Sequence, residues 1–285
     1  MKVAVVDGPG VVRLDDMQRP IAGPSDLVMK VVAAGICGTD IQYRTTGGPG
    51  LRGPGPMPLG HEFAGEVVEV GPEVKSFKVG DRVAYNSYNS PADFGRGGEG
   101  AFCDYVALRD VDTQTQSLCK VPENVSLEHA ALVEPLSVAM HAVNRAAPKA
   151  GESAAIFGVG PIGLGIIIGL RWLGCEDIIA FDPSPVRRQR ALDLGARAAF
   201  NPLERPPGEA LAEVRGEATL WGRKYPRTEM YFEASGAKGV LHDIANLCNK
   251  GSRIVTVAMQ KGAVALDGSV LMTNCLLYTS PSPRD

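Results

Sequence analysis

The chain carries six cysteines but no C-x-x-C pair. Scattered thiols exclude a disulfide framework and point to reduced cysteines in a cytoplasmic protein. A basic block is also missing, and the net charge is −3. The electrostatic footprint of a nucleic-acid or anionic-membrane binder is therefore absent. The start, Met1-Lys2-Val3-Ala4-Val5-Val6-Asp7, lacks the long apolar core of a signal peptide. One uncharged run, Ser153 to Leu170, imitates a membrane span, and its Gly165-x-x-x-Gly169 imitates a membrane-helix contact. Gly158-Val159-Gly160-Pro161 breaks that run into a short strand and a helix, so no membrane passage is expected.

What is present suits a folded enzyme. The 285 residues are 45% hydrophobic and 21% charged, enough for one large or two ordinary domains with a sizeable core. The first half is a succession of short strand signals set off by Gly and Pro. Met1–Val6 and Val11–Leu14 flank Gly8-Pro9-Gly10, and Leu27–Ala33 reads as a buried strand. Phe63–Val70, the stretch after Val79-Gly80-Asp81, Ala101–Leu108 and Leu118–Pro122 add more. Such a series predicts a compact β-barrel-like domain. Gly47–Gly60, rich in Gly and Pro, reads as a surface loop, part of which covers the site between Cys37 and His61.

The chemistry concentrates at Gly35-Ile36-Cys37-Gly38-Thr39-Asp40 and Gly60-His61-Glu62. Thiolate and imidazole are preferred zinc donors, and a catalytic zinc needs three protein ligands and an open position. Glu134 is the third candidate. Ser126 predicts a helix cap, and Pro135 predicts a new helix start, which sets Glu134 at a break between two helices. A carboxylate between Val133 and Leu136 is costly if buried without a partner. The remaining histidines, His129, His141 and His242, read as structural or surface residues.

The second half alternates strand and helix signals, the pattern of a doubly wound parallel sheet. Gly158-Val159-Gly160-Pro161-Ile162-Gly163 matches G-x-G-x-x-G between a strand and a helix. Its glycines allow a tight turn, approach of a pyrophosphate and close helix packing. Strand Ile178–Phe181 ends in Asp182, about 20 residues further on, where an acid accepts from a ribose 2′-hydroxyl and repels a 2′-phosphate. NAD is expected over NADP, a preference weakened slightly by Arg187 and Arg188.

With these residues in place, the chain resembles the zinc-dependent medium-chain alcohol dehydrogenase family, in its sorbitol, 2,3-butanediol and threonine dehydrogenase branches. The matching pieces are GICGTD, GHEFAGEVVEVG, VGDRV, VEPLSVAMHA, GVGPIG and EASGA, in the family's order. The resemblance implies a GroES-like catalytic domain over 1–142 and a Rossmann domain over 143–274. It implies Cys37, His61 and Glu134 as zinc ligands and Glu62 as an acid that enters or leaves the metal shell. Thr39 would pass the alcohol proton outward, and Tyr43 would lie on the substrate side. Ile162, Asp182 and Arg187 would contact NAD, and the backbone of Val257, Ala258 and Met259 would meet the nicotinamide. The implied reaction is hydride transfer from a secondary alcohol (a polyol, diol or hydroxy amino acid) to NAD. A full-length parent would be a homodimer or homotetramer. A zinc-free quinone or enoyl reductase of the same fold, and a non-catalytic NAD-binding protein, are the alternatives.

Two departures from the family pattern carry expectations of their own. The region Tyr85–Phe102 is short and lacks the four cysteines of a structural zinc lobe, so one zinc per chain is expected. After Asn274 the sequence leaves the family pattern, and residues 275–285 resemble one reading frame of a sequencing adapter. They are expected to be a non-native tail on a truncated Rossmann domain, which would then lack a sheet strand.

Overall fold

The computed structural model describes every residue except 49–55, 87–93, 96–97, 114–116, 221, 261, 274–276 and 280–285. By its contacts the chain divides into Met1–Glu134 and Pro135–Asp285. The family resemblance implies a boundary after Ala142. The centre of the Gly47–Gly60 loop, much of Tyr85–Phe102, and 275–276 and 280–285 of the expected tail lie outside the described residues. The described part of that tail, Leu277–Thr279, pairs in parallel with Arg253–Val255 as a sheet strand, against the expected loss of one.

The first unit begins with β1 (Lys2–Val6) and β2 (Val12–Asp16), followed by β3 (Leu27–Gly35), α1 (Gly38–Thr46) and β4 (Met57–Pro58). Then come β5 (Glu62–Val70), β6 (Arg82–Tyr85), β7 (Tyr105–Leu108), β8 (Leu118–Lys120) and α2 (Leu127–Ala130). Two antiparallel sheets result, in the orders β2-β1-β4 and β7-β3-β5-β6-β8. Alternating apolar positions put Leu27, Met29, Phe63, Val67, Val83, Val106 and Leu108 in one core. Phe63, Tyr85 and Phe94 meet there with ring centroids 4.7 to 5.1 Å apart, and such aromatic contacts add to simple burial. The β3–β5 pair is interrupted by bulges at Val28/Met29 and Val31/Ala33. Bulges bend a strand and re-aim its side chains, and the second lies just ahead of the chemically active end.

Ser126 caps α2 as expected, its hydroxyl accepting from the His129 N–H. The helix break, however, falls at Ala131-Leu132. Glu134 lies in the first turn of α3 (Val133–Ala146), with Pro135 beside it. A proline lacks an N–H that the first turn of a helix would leave unpaired anyway, so the helix starts before it.

The second unit contains β9 (Ala154–Phe157), α4 (Pro161–Trp172), β10 (Ile178–Phe181), α5 (Pro185–Asp193), β11 (Ala198–Phe200) and α6 (Pro207–Arg215). A hairpin of β12 (Glu217–Leu220) and β13 (Arg223–Pro226) precedes β14 (Met230–Glu233), α7 (Val240–Leu247), β15 (Arg253–Thr256), α8 (Gly268–Thr273) and β16 (Leu277–Thr279). The sheet order is β11-β10-β9-β14-β15-β16, parallel throughout. This is the doubly wound dinucleotide-binding order, with its switch point between β9 and β14. β9, β10 and β14 are buried along their whole length, which explains their continuous apolar runs.

One sheet face packs on α3 and α4, through Ile156, Ile178, Phe232 and Val255 against Ala139, Val143, Ile166 and Leu170. A Cβ at Gly165 would stand 2.7 Å from that of Ala139. The G-x-x-x-G pair thus serves close approach of two helices within this unit. Among the described residues, no helix is long and apolar enough to cross a membrane.

At the opposite end of the sheet Arg215 is buried, its side chain 3% exposed. It donates to the Asp177 carboxylate, the Thr228 hydroxyl and the carbonyls of Ala154 and Asp177 at 2.6 to 2.9 Å. Arg215→Ala removes these hydrogen bonds at once, although Asp177 keeps Arg197 on its carboxylate and the Ala154 N–H on its carbonyl. It is expected to lower unfolding stability by about 2 kcal/mol, read as a shift in the denaturant midpoint.

Candidate metal and dinucleotide sites

Backbone pairing builds the first site. Gly35, at the end of β3, lies opposite Glu62, at the start of β5. Cys37, just past one strand, therefore meets His61, just ahead of the other. The Cys37, His61 and Glu62 donor atoms lie within 4.8 Å of one another, the only such group of three or more His, Cys, Asp or Glu among the described residues. His61 is 5% and Glu62 7% exposed. A Cβ on Gly35 would stand 2.3 Å from Glu62 Oε2, so glycine here leaves that carboxylate its place beside the other two donors.

Cys37 is the N-cap of α1, a helix where the sequence predicts a turn. Asp40, three residues on and 3% exposed, accepts from the Cys37 N–H at 2.9 Å and from the Gly60 N–H at 3.2 Å. One carboxylate thereby ties both donor-bearing segments together. Its Oδ1 also lies 3.8 Å from His61 Nδ1, a buried nitrogen with no hydrogen-bond partner. Asp40 had no role in the sequence reading. An acid three residues after a cap position is the available signal, but cysteine is not a usual cap. Thr39 Oγ1 lies 3.4 Å from His61 Nε2, and Tyr43 packs against Val6, Met57 and Leu59.

Glu134 is 9% exposed. It stands outside the three-donor group, yet its charge is felt there. Burial pushes the Cys37 thiol up to about 11; hydrogen bonds from Thr39 oppose this, and the charges of Glu62 and Glu134 add to it. Burial, followed by the Glu134 charge, pushes the Glu62 carboxyl up to about 7. Burying a thiol and two carboxyls together is costly without a compensating cation. Sulfur, imidazole nitrogen and carboxylate oxygen are the donor types zinc takes. The residues fit a zinc ion.

The dinucleotide fingerprint follows β9. Gly158 has φ +87°, and a Cβ on it would stand 2.7 Å from Ser235 Cα. A Cβ on Gly163 would stand 2.0 Å from the Gly158 carbonyl oxygen, so α4 starts hard against the turn. Gly160, the N-cap of α4, has open space where its Cβ would be. Open space before free helix-start N–H groups is a cradle for an anion. Ile162 sits in the first turn of α4 and packs on the core.

Asp182 follows β10 and is 2% exposed. It accepts from the Val159 N–H at 3.0 Å and the Ser184 N–H at 2.8 Å, which fixes the glycine turn to the next strand. Arg187 Nη1 lies 3.7 Å from its carboxylate, and Arg188 is bonded to the carbonyls of Asp182 and Pro183. Val257, Ala258 and Met259 follow β15, bonded back to Glu233 through the N–H groups of Val257 and Ala258.

A buried zinc-type donor set, followed along the chain by a glycine-cradled doubly wound sheet, defines a metal-dependent dinucleotide oxidoreductase. Comparison with known proteins gives the family. The model for the alcohol dehydrogenase GroES-like domain matches residues 23–123, and that for zinc-binding dehydrogenases matches 161–279. The (R,R)-butanediol dehydrogenase of Bacillus subtilis (strain 168) is 35% identical over 288 residues, covering 92% of this chain and 79% of that one. Sorbitol dehydrogenase 1 of Saccharomyces cerevisiae is 35% identical over 293 residues, covering 94% and 81%. The crystal structure of 2R,3R-butanediol dehydrogenase from Bacillus subtilis superposes with a TM-score of 0.82 at 30% identity, covering 99% and 84%. This chain belongs to the zinc-dependent medium-chain alcohol dehydrogenase family.

Proposed function

We propose that this protein oxidises a secondary alcohol of the polyol or vicinal diol class, using NAD and one zinc ion per chain. The observation that carries the reading is the buried convergence of Cys37, His61 and Glu62 under the charge of Glu134. Relatives named as butanediol and sorbitol dehydrogenases support the substrate class; a hydroxy amino acid is the remaining member of that set.

Cys37, His61 and Glu134 would hold the metal, with Glu62 exchanging against Glu134. When bound, the zinc lends Lewis acidity to an alcohol oxygen and the nicotinamide takes up hydride. Thr39, its hydroxyl 3.4 Å from the His61 ring nitrogen, would receive the alcohol proton and pass it outward. Tyr43 would orient the substrate. Asp40 holds the donor segments in place. Asp182 would accept from the ribose hydroxyls, which favours NAD, and Arg187 lies 3.7 Å from that same carboxylate.

The five cysteines among the described residues form no disulfide with one another, which suits a reducing cytoplasm. Association as a homodimer or homotetramer is checked by light scattering.

The test is metal analysis together with NADH formation on sorbitol, 2,3-butanediol and threonine. One zinc per chain and turnover of a polyol or diol are expected. Two tightly held zincs would refute the single-site count. Absence of zinc would favour a zinc-free reductase, and zinc without turnover a non-catalytic NAD-binding protein.

A further inference from the structure

Glu233, the last residue of β14, is 0% exposed. Its Oε1 accepts from the Ser235 N–H at 2.9 Å, the Ser235 hydroxyl at 2.6 Å and the Gly236 N–H at 2.9 Å. Its Oε2 accepts from the Gln260 side-chain amide at 2.6 Å. A carboxylate can only accept, so Gln260 must present its amino group. The Glu233 carbonyl oxygen accepts from the Val257 N–H at 2.8 Å and the Ala258 N–H at 3.2 Å. The segment after β15 is thus strapped to one residue twice, by main chain at its start and by a side chain at Gln260.

Gly236 closes the other side, since a Cβ on it would stand 3.0 Å from the Met259 carbonyl oxygen. Met259 itself is 59% exposed. Little apolar burial holds this segment at its tip, so its shape depends on the polar straps. The loops concerned leave the carboxyl ends of β14 and β15, on one side of the switch point, where a doubly wound sheet takes its ligand.

We propose that the Glu233–Gln260 pair is a positioning device that sets the backbone of Val257-Ala258-Met259 in the shape that receives the nicotinamide. The inference rests on reading those three residues as the nicotinamide contact. Gln260→Ala leaves a buried carboxylate oxygen without its donor and frees the end of the segment. NADH binding is expected to weaken about tenfold, the scale of one hydrogen bond to a charged group. Binding of ADP-ribose, which lacks the nicotinamide, is expected to be unchanged.

Exchanging the partners supplies the control. Glu233→Gln combined with Gln260→Glu keeps an oxygen for Ser235 and Gly236 and reverses the donor and acceptor across the pair. NADH binding is expected to weaken in Gln260→Glu, where two carboxylates face each other, and to recover in the double variant; Glu233→Gln alone keeps the pair hydrogen-bonded by turning the Gln260 amide and is expected to change little. Equal weakening for both ligands would reduce the pair to a general structural support and overturn the proposal. NADH binding unaffected by Gln260→Ala would overturn it as well. A wild-type chain that binds neither ligand would overturn the dinucleotide reading, and the proposal with it.

Discussion

Cys37→Ala is expected to empty the metal site and lower turnover by about a thousandfold, the scale of losing Lewis-acid assistance to charge development. NADH binding should be retained, because the glycine turn and Asp182 belong to the other unit of the chain. The thiol is only one of the donors, but it is the one that α1 delivers. The Asp40 hydrogen bond to the residue 37 N–H uses main chain, so the helix cap survives the substitution. The fold should therefore persist while the metal is lost. Zinc content by atomic emission and NADH affinity by fluorescence titration separate these two effects. Unchanged zinc content would show that another side chain carries the ion.

Gly160→Ala is expected to weaken NAD binding roughly a hundredfold without unfolding the protein. The added methyl enters open space, so nothing in the chain resists it. It would occupy the ground a pyrophosphate needs in order to reach the N–H groups at the start of α4. Losing two hydrogen bonds to a charged group, at about 1.5 kcal/mol each, gives that factor. Gly163→Ala should behave in the opposite way. Its methyl would press on the Gly158 carbonyl at 2.0 Å, an overpacking that costs about 3 kcal/mol. Thermal melting should fall for Gly163→Ala and hold for Gly160→Ala. A pair that loses stability equally would refute the separate roles given to the two glycines.

The parallel sheet was the most legible part of the chain. Ile178–Phe181, Ala198–Phe200 and Met230–Glu233 are the strands expected from apolar runs alone. Ile178–Phe181 and Met230–Glu233 are buried throughout and have little freedom to be anything else, whereas Ala198–Phe200 at the sheet edge is half-buried. α1 escaped notice for the opposite reason. Its only buried residue is Asp40, so it has no apolar stripe for periodicity to detect. The hairpin β12–β13 is not legible either; its short strands mix exposed Arg223 and Lys224 with buried Tyr225 and Pro226, with no run or alternation to mark them. At the metal site, the sequence offered Cys37, His61, Glu62 and Glu134 as donors. The structure brings the first three into one small volume and leaves Glu134 buried close by. Asp40, whose hydrogen bonds hold the arrangement, looked like an ordinary polar residue in a turn.

The pairing of Gly35 with Glu62 also bears on how this chemistry can be altered over time. Two of the three donors owe their nearness to a ladder of peptide groups, which is indifferent to side-chain identity. Neighbouring positions other than Gly35 and Asp40 can be exchanged, so new substrates are reachable by point substitution. Inserting or deleting one residue in β3 beyond its second bulge is another matter. The ladder would slip by one step, turning side chains to the opposite face and carrying the thiol away from the imidazole. Lineages of this corner should diverge by replacement and hold its length fixed.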